Sequence, residues 1–228
     1  MQNQAFAIAV DGPAGAGKST IARLVARQLG FVYVDTGAMY RAIALYTLRR
    51  GISPQDEEAV SAAVPEAEIT ICYEEGIQKV LLNGEDVSEK IRREEVGKAA
   101  SAVSAYPAVR AHLLGLQRSL AQTTNVIMDG RDIGTCVLPG AQAKVFLTAS
   151  PRIRAMRRYK ELKEKGEMCN LQEIEQDIIE RDQKDMSRPI APLKQAEDAV
   201  LIDSSDMGID QVVSAIIGTA KSKGLMVR

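Results

Sequence analysis

The sequence is short of several things, and each shortage removes a class of function. It has three cysteines, Cys72, Cys136 and Cys169, scattered and without a C-x-x-C pair. Such a set suits a reducing compartment and argues against a zinc site. It has one histidine, His112, inside a helical pattern and away from every motif below, which reads as structural or solvated. The formal net charge is −1, so no global basic field is available to draw in nucleic acid. Apolar runs stop well short of the roughly 18 residues a membrane span needs. No basic region or cleavable apolar stretch leads into the first strand. Internal repeats and low-complexity stretches are lacking too. These shortages predict a cytoplasmic, soluble protein, with no nucleic-acid or membrane partner, working as a monomer.

What is present is a core and a rhythm. Hydrophobic residues make up 46% of the 228 positions and charged ones 26%, enough for one large domain or a core with a modest insertion. Short apolar runs at 6–10, 31–34, 126–128, 143–147 and 199–202 read as strands. Helical spacing follows the first in Ile21, Leu24, Val25 and Leu29, and the second in Met39, Ile43, Leu45 and Leu48. Helices are also expected after the later strands, least clearly directly after 126–128. Strands alternating with helices predict a parallel sheet covered on both faces, with ligands at the carboxyl ends of the strands. One region breaks the pattern. Residues 68–73 alternate at period two, Glu74-Glu75-Gly76 supplies a turn, and 77–82 runs into Asn83-Gly84. This predicts an antiparallel hairpin, with a third short strand through Val87 and helices over 54–64 and 88–103.

The first strand ends in Gly12-Pro13-Ala14-Gly15-Ala16-Gly17-Lys18-Ser19, which matches the phosphate-loop pattern G-x-x-x-x-G-K-[ST] and is followed by Thr20 in a helix. Backbone N–H groups of such a loop close around phosphate oxygens, and the helix N-terminus adds its positive dipole end. Lys18 is placed for the β- and γ-phosphates and the Ser19 hydroxyl for Mg²⁺. The chain therefore handles a nucleoside triphosphate. An N-K-x-D motif and a D-x-x-G segment are both missing, against a guanine-nucleotide switch. Arginines are plentiful: Arg41, Arg110, Arg131, Arg154, Arg157, Arg158, Arg181 and Arg188 fall near strand ends or on helices. Moving a phosphoryl group onto a second phosphate brings several negative charges together, and arginine binds them without deprotonating. An ionised phosphate acceptor needs no general base, so positioning and charge neutralisation carry the catalysis.

Four segments, 8–20, 33–41, 129–135 and 181–188, together resemble the bacterial cytidylate kinase family. The last three read Tyr-Val-Asp-Thr-Gly-Ala-Met-Tyr-Arg, Asp-Gly-Arg-Asp-Ile-Gly-Thr and Arg-Asp-Gln-Lys-Asp-Met-Ser-Arg. The resemblance implies a three-layer α/β phosphate-loop fold with a five-stranded parallel sheet, a small antiparallel insertion and a short lid. It divides one kinase domain, 1–228, into a core (1–37, 104–150, 166–228), a monophosphate-binding region (38–103) and a lid (151–165). It implies Mg-ATP-dependent phosphorylation of CMP and dCMP.

Under that resemblance the Gly12 to Thr20 loop binds ATP, with Lys18 catalytic and Ser19 on the metal. Thr36, Tyr40 and Arg41 belong to the acceptor site, Thr36 standing where many relatives carry serine. Arg131 would bind the acceptor phosphate and take part in catalysis. Asp132 would accept from the cytosine N4 amino group, which uracil and thymine lack. Asp129 either organises Mg²⁺ and its waters or pairs structurally with an arginine. Arg181, Asp185 and Arg188, at i, i+4 and i+7, form either a surface salt-bridge stripe or, by resemblance, a phosphate, ribose and base contact. Ser101 and Arg110 match further cytosine-recognition positions. Residues 152–158 carry Arg152, Arg154, Arg157 and Arg158, and read as a lid or as a basic helix face. In the lid reading Arg157 and Arg158 neutralise the transferring group as water is excluded. The rival readings are a uridylate- or shikimate-type kinase and a nucleotide-binding switch.

Overall fold

A computed structural model describes residues 5–226. The first half of the chain runs β1 (Ala7–Asp11), α1 (Lys18–Leu29), β2 (Val32–Asp35), α2 (Thr36–Arg49), α3 (Glu57–Ala63), β3 (Ile69–Glu74), β4 (Ile77–Leu82) and β5 (Glu85–Asp86). The second half runs α4 (Glu94–Val103), α5 (Pro107–Leu120), β6 (Val126–Gly130), β7 (Ala143–Thr148), α6 (Pro151–Glu164), α7 (Leu171–Ser187), β8 (Val200–Asp203) and α8 (Ile209–Ser222). Five strands form a parallel sheet in the order β2-β6-β1-β7-β8, and three form an antiparallel sheet, β3-β4-β5. The chain divides into two compact units, one ending at Phe31 and resuming at Asn125, the other Val32–Thr124.

In the first unit β1 lies between β6 and β7, in register Ala7 to Val126 and Ile8 to Ala143. Every residue of β1 and β6 is buried, which is why both read as unbroken apolar runs and not as alternating strands. Helix α1 turns Ile21, Ala22, Val25 and Ala26 inward, and α8 does so with Val212, Val213, Ile216 and Ala220. The two helices pack on one another, α1 also against β1 and β6, α8 against β7 and β8. Each fully buried aliphatic side chain in this core contributes roughly 1.5–3 kcal/mol.

Where sequence predicts a helix after β6, the chain instead makes a wide π-helical turn, Ile133–Val137. The Asp132 carbonyl accepts from both Cys136 N, at 2.8 Å, and Val137 N, at 3.1 Å, so the first turn opens by one residue. Residues 151–164, expected as lid, form the regular helix α6, started by Pro151 and capped by the Ser150 hydroxyl, which accepts from Ile153 N at 3.3 Å. It packs against α7 as a helical hairpin.

In the second unit the hairpin pairs Ile69 with Leu82 through to Glu74 with Ile77. Glu75 (φ 51°) and Gly76 (φ 77°) form the two-residue turn with both φ positive, as the strand twist demands. Strand β5 is only Glu85–Asp86, but Val87 N still donates to Val80 O at 2.9 Å. The helix expected over 54–64 is α3, capped by Asp56, whose carboxylate accepts from Ala59 N at 3.0 Å. That expected over 88–103 breaks at extended Arg93 (ψ 147°) into a short 3₁₀ turn, Lys90–Arg92, and α4. Helix α2 packs against α4, α5 and β4.

Candidate active site

The phosphate loop joins β1 to α1 in the first unit. Its conformation selects its glycines: a Cβ at Gly12 would lie 1.9 Å from the Leu147 carbonyl oxygen, and Gly17 holds φ +85° as the residue capping α1. No side chain caps that helix start, so its first-turn N–H groups suit an anion. Lys18 is 6% exposed and folds back over the loop, its Nζ donating to Pro13 O at 2.7 Å. Burial, and then Arg131, push its ammonium well below the usual lysine range, against the pull of Asp129, Asp11 and Asp185. Pro13 and Ala16 are buried, while Gly15 and Thr20 are exposed and Ala14 half-buried.

Ser19 Oγ donates to Asp129 Oδ2 at 2.8 Å, the carboxylate being buried at the end of β6. A hydroxyl beside a carboxylate, under a phosphate loop, is a donor pair that fits Mg²⁺, which takes one or two protein oxygens and completes its shell with phosphate and water. Among the described residues no group of three or more His, Cys, Asp or Glu could cage a metal, so the fit is to an ion shared with substrate.

Arg131 Nε donates to Asp185 Oδ2 at 2.9 Å and its Nη1 to Gly130 O at 3.3 Å. Asp132 is buried, with Arg188 Nη2 3.7 Å from its Oδ1. The structure thus joins the third and fourth motif segments through two crossed ion pairs. Arg181 and Asp185 do share a face of α7, with Arg181 half-buried and Asp185 buried. Arg188 departs from the simple i, i+4, i+7 picture: it is the extended residue just past the helix (ψ 140°), and its Nε donates to Ala191 O at 2.5 Å.

The arginines of α6 separate. Arg157 donates to Ser204 O at 2.7 Å and Oγ at 3.3 Å, and Arg158 reaches Glu161 at 3.2 Å on the surface. Arg154 is the one that touches the phosphate loop. It is 3% exposed and donates to Ala14 O at 2.9 Å, to Ala149 O at 2.8 Å and to both oxygens of buried Asp182. Sequence spacing gives no hint of that pairing, because 28 residues separate the partners.

In the second unit Asp35 caps α2, its Oδ1 accepting from Ala38 N at 2.9 Å and its Oδ2 from Arg92 at 3.1 Å. Gln78 of the hairpin brackets the same residue, accepting from Asp35 N at 2.8 Å and donating to Asp35 O at 3.2 Å. Neither Gln78 nor Arg92 is legible as a site residue in sequence, yet both fix the start of α2. Thr36 is buried there and Arg41 Nη1 lies within 3.8 Å of a Cβ built on Gly37. The Arg110 guanidinium sits over the Tyr40 ring, 5.7 Å from its centre, and donates to Ser104 O at 3.2 Å. Ser101 is half-buried on α4, its carbonyl accepting from Ser104 Oγ at 3.1 Å. His112, outside these groups, bonds the Ala67 carbonyl at 2.8 Å, and the three cysteines form no disulfide.

A crystal structure of an uncharacterized protein from Eubacterium ventriosum shares the fold, with a TM-score of 0.51 at 10% identity, over 95% of this chain and 99% of that one. Cytidylate kinase of Caldicellulosiruptor bescii is 50% identical over 210 residues, 92% of this chain and 93% of its own. That of Syntrophotalea carbinolica is 49% identical over 215 residues, 94% and 92% of the two chains. The family model for cytidylate kinase matches residues 8–222, from the phosphate-loop strand through α8. With the loop, the crossed ion pairs and this likeness along nearly its whole length, the chain belongs to the cytidylate kinase family.

Proposed function

We propose that the protein transfers the γ-phosphoryl group of ATP to CMP, and to dCMP, with Mg²⁺. The observation that carries this reading is the clustering, in one unit, of Lys18, the Ser19–Asp129 pair and the Arg131–Asp185 and Asp132–Arg188 pairs. The loop amides and Lys18 hold the donor phosphates. Ser19 and Asp129 hold Mg²⁺, which when bound offsets charge on the donor phosphates. Arg131 binds the acceptor phosphate, and Asp132 accepts from the cytosine amino group. Asp185 keeps the sugar hydroxyls, Arg131 occupying one of its two oxygens. In the second unit the start of α2, with Thr36 and Arg41, serves the acceptor phosphate, while Tyr40, Ser101 and Arg110 serve the nucleoside. Arg157, Arg158 and Arg181 add positive charge toward the transferring group as α6, the lid, moves. No base is required, because the acceptor oxygen is already ionised and the work is alignment and charge stabilisation.

A coupled assay of ADP release with CMP, dCMP, UMP and AMP tests this reading. CMP and dCMP are expected to drive turnover and UMP and AMP to drive it far less. Slow ATP turnover that no monophosphate accelerates would instead mark a nucleotide-dependent switch.

A further inference from the structure

Asp11 has no part in the chemistry above, yet it is 4% exposed and sits beside the phosphate loop as the last residue of β1. Its Oδ1 accepts from Ile133 N and its Oδ2 from Gly134 N, each at 2.7 Å. Those two amides directly follow Arg131 and Asp132. The next residue along the chain, Gly12, runs so close to β7 that a Cβ there would fall 1.9 Å from the Leu147 carbonyl oxygen. Asp11 therefore spans from a fixed loop origin to the turn that carries the acceptor contacts. The packing at the far end is tight: a Cβ on Gly134 would lie 3.1 Å from Lys144 Cδ and 3.3 Å from Asp11 Oδ2, so these side chains would have to yield. Lys144 is itself held by Asp198, at 2.9 Å.

We propose that Asp11 is a positioning residue for acceptor recognition, fixing the backbone of residues 132–134 so that Asp132 meets the acceptor in register with the donor loop. This rests on the assignment of Asp132 to cytosine. The residue type follows from the geometry. Two adjacent N–H groups need two acceptor oxygens on one short side chain, which aspartate supplies. Asparagine matches its shape but offers one oxygen and turns an NH₂ group against the second amide.

The test is steady-state kinetics with CMP and ATP varied separately, in wild type, Asp11→Asn, Asp132→Ala and the double variant. Asp11→Asn is expected to raise the KM for CMP about tenfold, the effect of losing a charged hydrogen bond, and to leave the KM for ATP within about twofold. In the Asp132→Ala background its effect on CMP should shrink to less than about threefold, because the group it positions is gone. Gly134→Ala, whose Cβ would press on the carboxylate from 3.3 Å without removing it, should give the same selective loss in smaller measure and carries the test if Asp11→Asn does not fold. Equal rises in both KM values, or full additivity in the double variant, would overturn the proposal. A CMP effect of Asp132→Ala with none from Asp11→Asn and Gly134→Ala overturns it alone. An Asp132→Ala variant with unchanged CMP kinetics overturns the assignment of Asp132 together with it.

Discussion

Lys18 shows how a single side chain can hold the phosphate loop together. Its ammonium is buried and donates to the loop's own Pro13 carbonyl, which ties the loop back on the start of α1. Lys18→Met should leave folding intact and lower turnover by ~10²–10³, the usual loss when a principal electrostatic stabiliser is removed. Near-normal turnover in a variant with a native melting curve would take the loop out of the mechanism. Asp11 makes the opposite point about charge. Burial pushes its carboxyl up to about 6, against the lowering effect of the Gly134 and Ile133 amides. A raised carboxyl favours the native state below the unfolded value near 3.8, and that contribution is lost as pH rises through about 6. The stability of wild type relative to Asp11→Asn should thus fall by about 3 kcal/mol between pH 4 and pH 7, in order of magnitude. Urea unfolding of both proteins across that range measures it, and a difference that is flat or rises with pH contradicts the expected cost of ionising Asp11.

At the scale of elements, the Arg154–Asp182 pair connects three of them: the phosphate loop, α6 and α7. Both side chains are below a tenth exposed, at 3% and 8%, so removing one leaves the other buried and charged. Arg154→Ala should cost about 3–5 kcal/mol of stability, far more than loss of the surface Arg158–Glu161 pair. A change in urea midpoint no larger than that of Arg158→Ala would show that the pair is not a structural tie. The elements are also where sequence reading succeeds and stops. The five parallel strands and the hairpin are legible because burial on both faces, or on one, writes itself as apolar runs or as alternation. The turn at Ile133–Val137 is not, because its cause is a bifurcated carbonyl at Asp132 and a carboxylate more than a hundred residues away. The loop, Arg131, Asp132 and Asp185 are legible from motifs. Asp11, Gln78, Arg92 and Asp182 act by holding backbone or another charge, and such work depends on tertiary neighbours that spacing does not encode.

For the whole molecule, a formal net charge of −1 conceals a local concentration of cations on helix α6, which carries six arginines and lysines against two glutamates and sends Arg154 to the donor loop. That concentration explains how a chain without a global basic field can gather two phosphorylated substrates. No helix among the described residues is long and apolar enough to cross a membrane. At the centre of the proposed function is chemical selectivity, the reading of cytosine by the Asp132 carboxylate. The most direct test is kcat/KM for CMP and for UMP, at saturating Mg-ATP, in wild type and Asp132→Ala. Removing the acceptor of the cytosine amino hydrogen bond should lower the CMP value at least about tenfold, with little change for UMP, so that the preference collapses while the KM for ATP holds. A CMP to UMP ratio that survives Asp132→Ala unchanged would contradict the account.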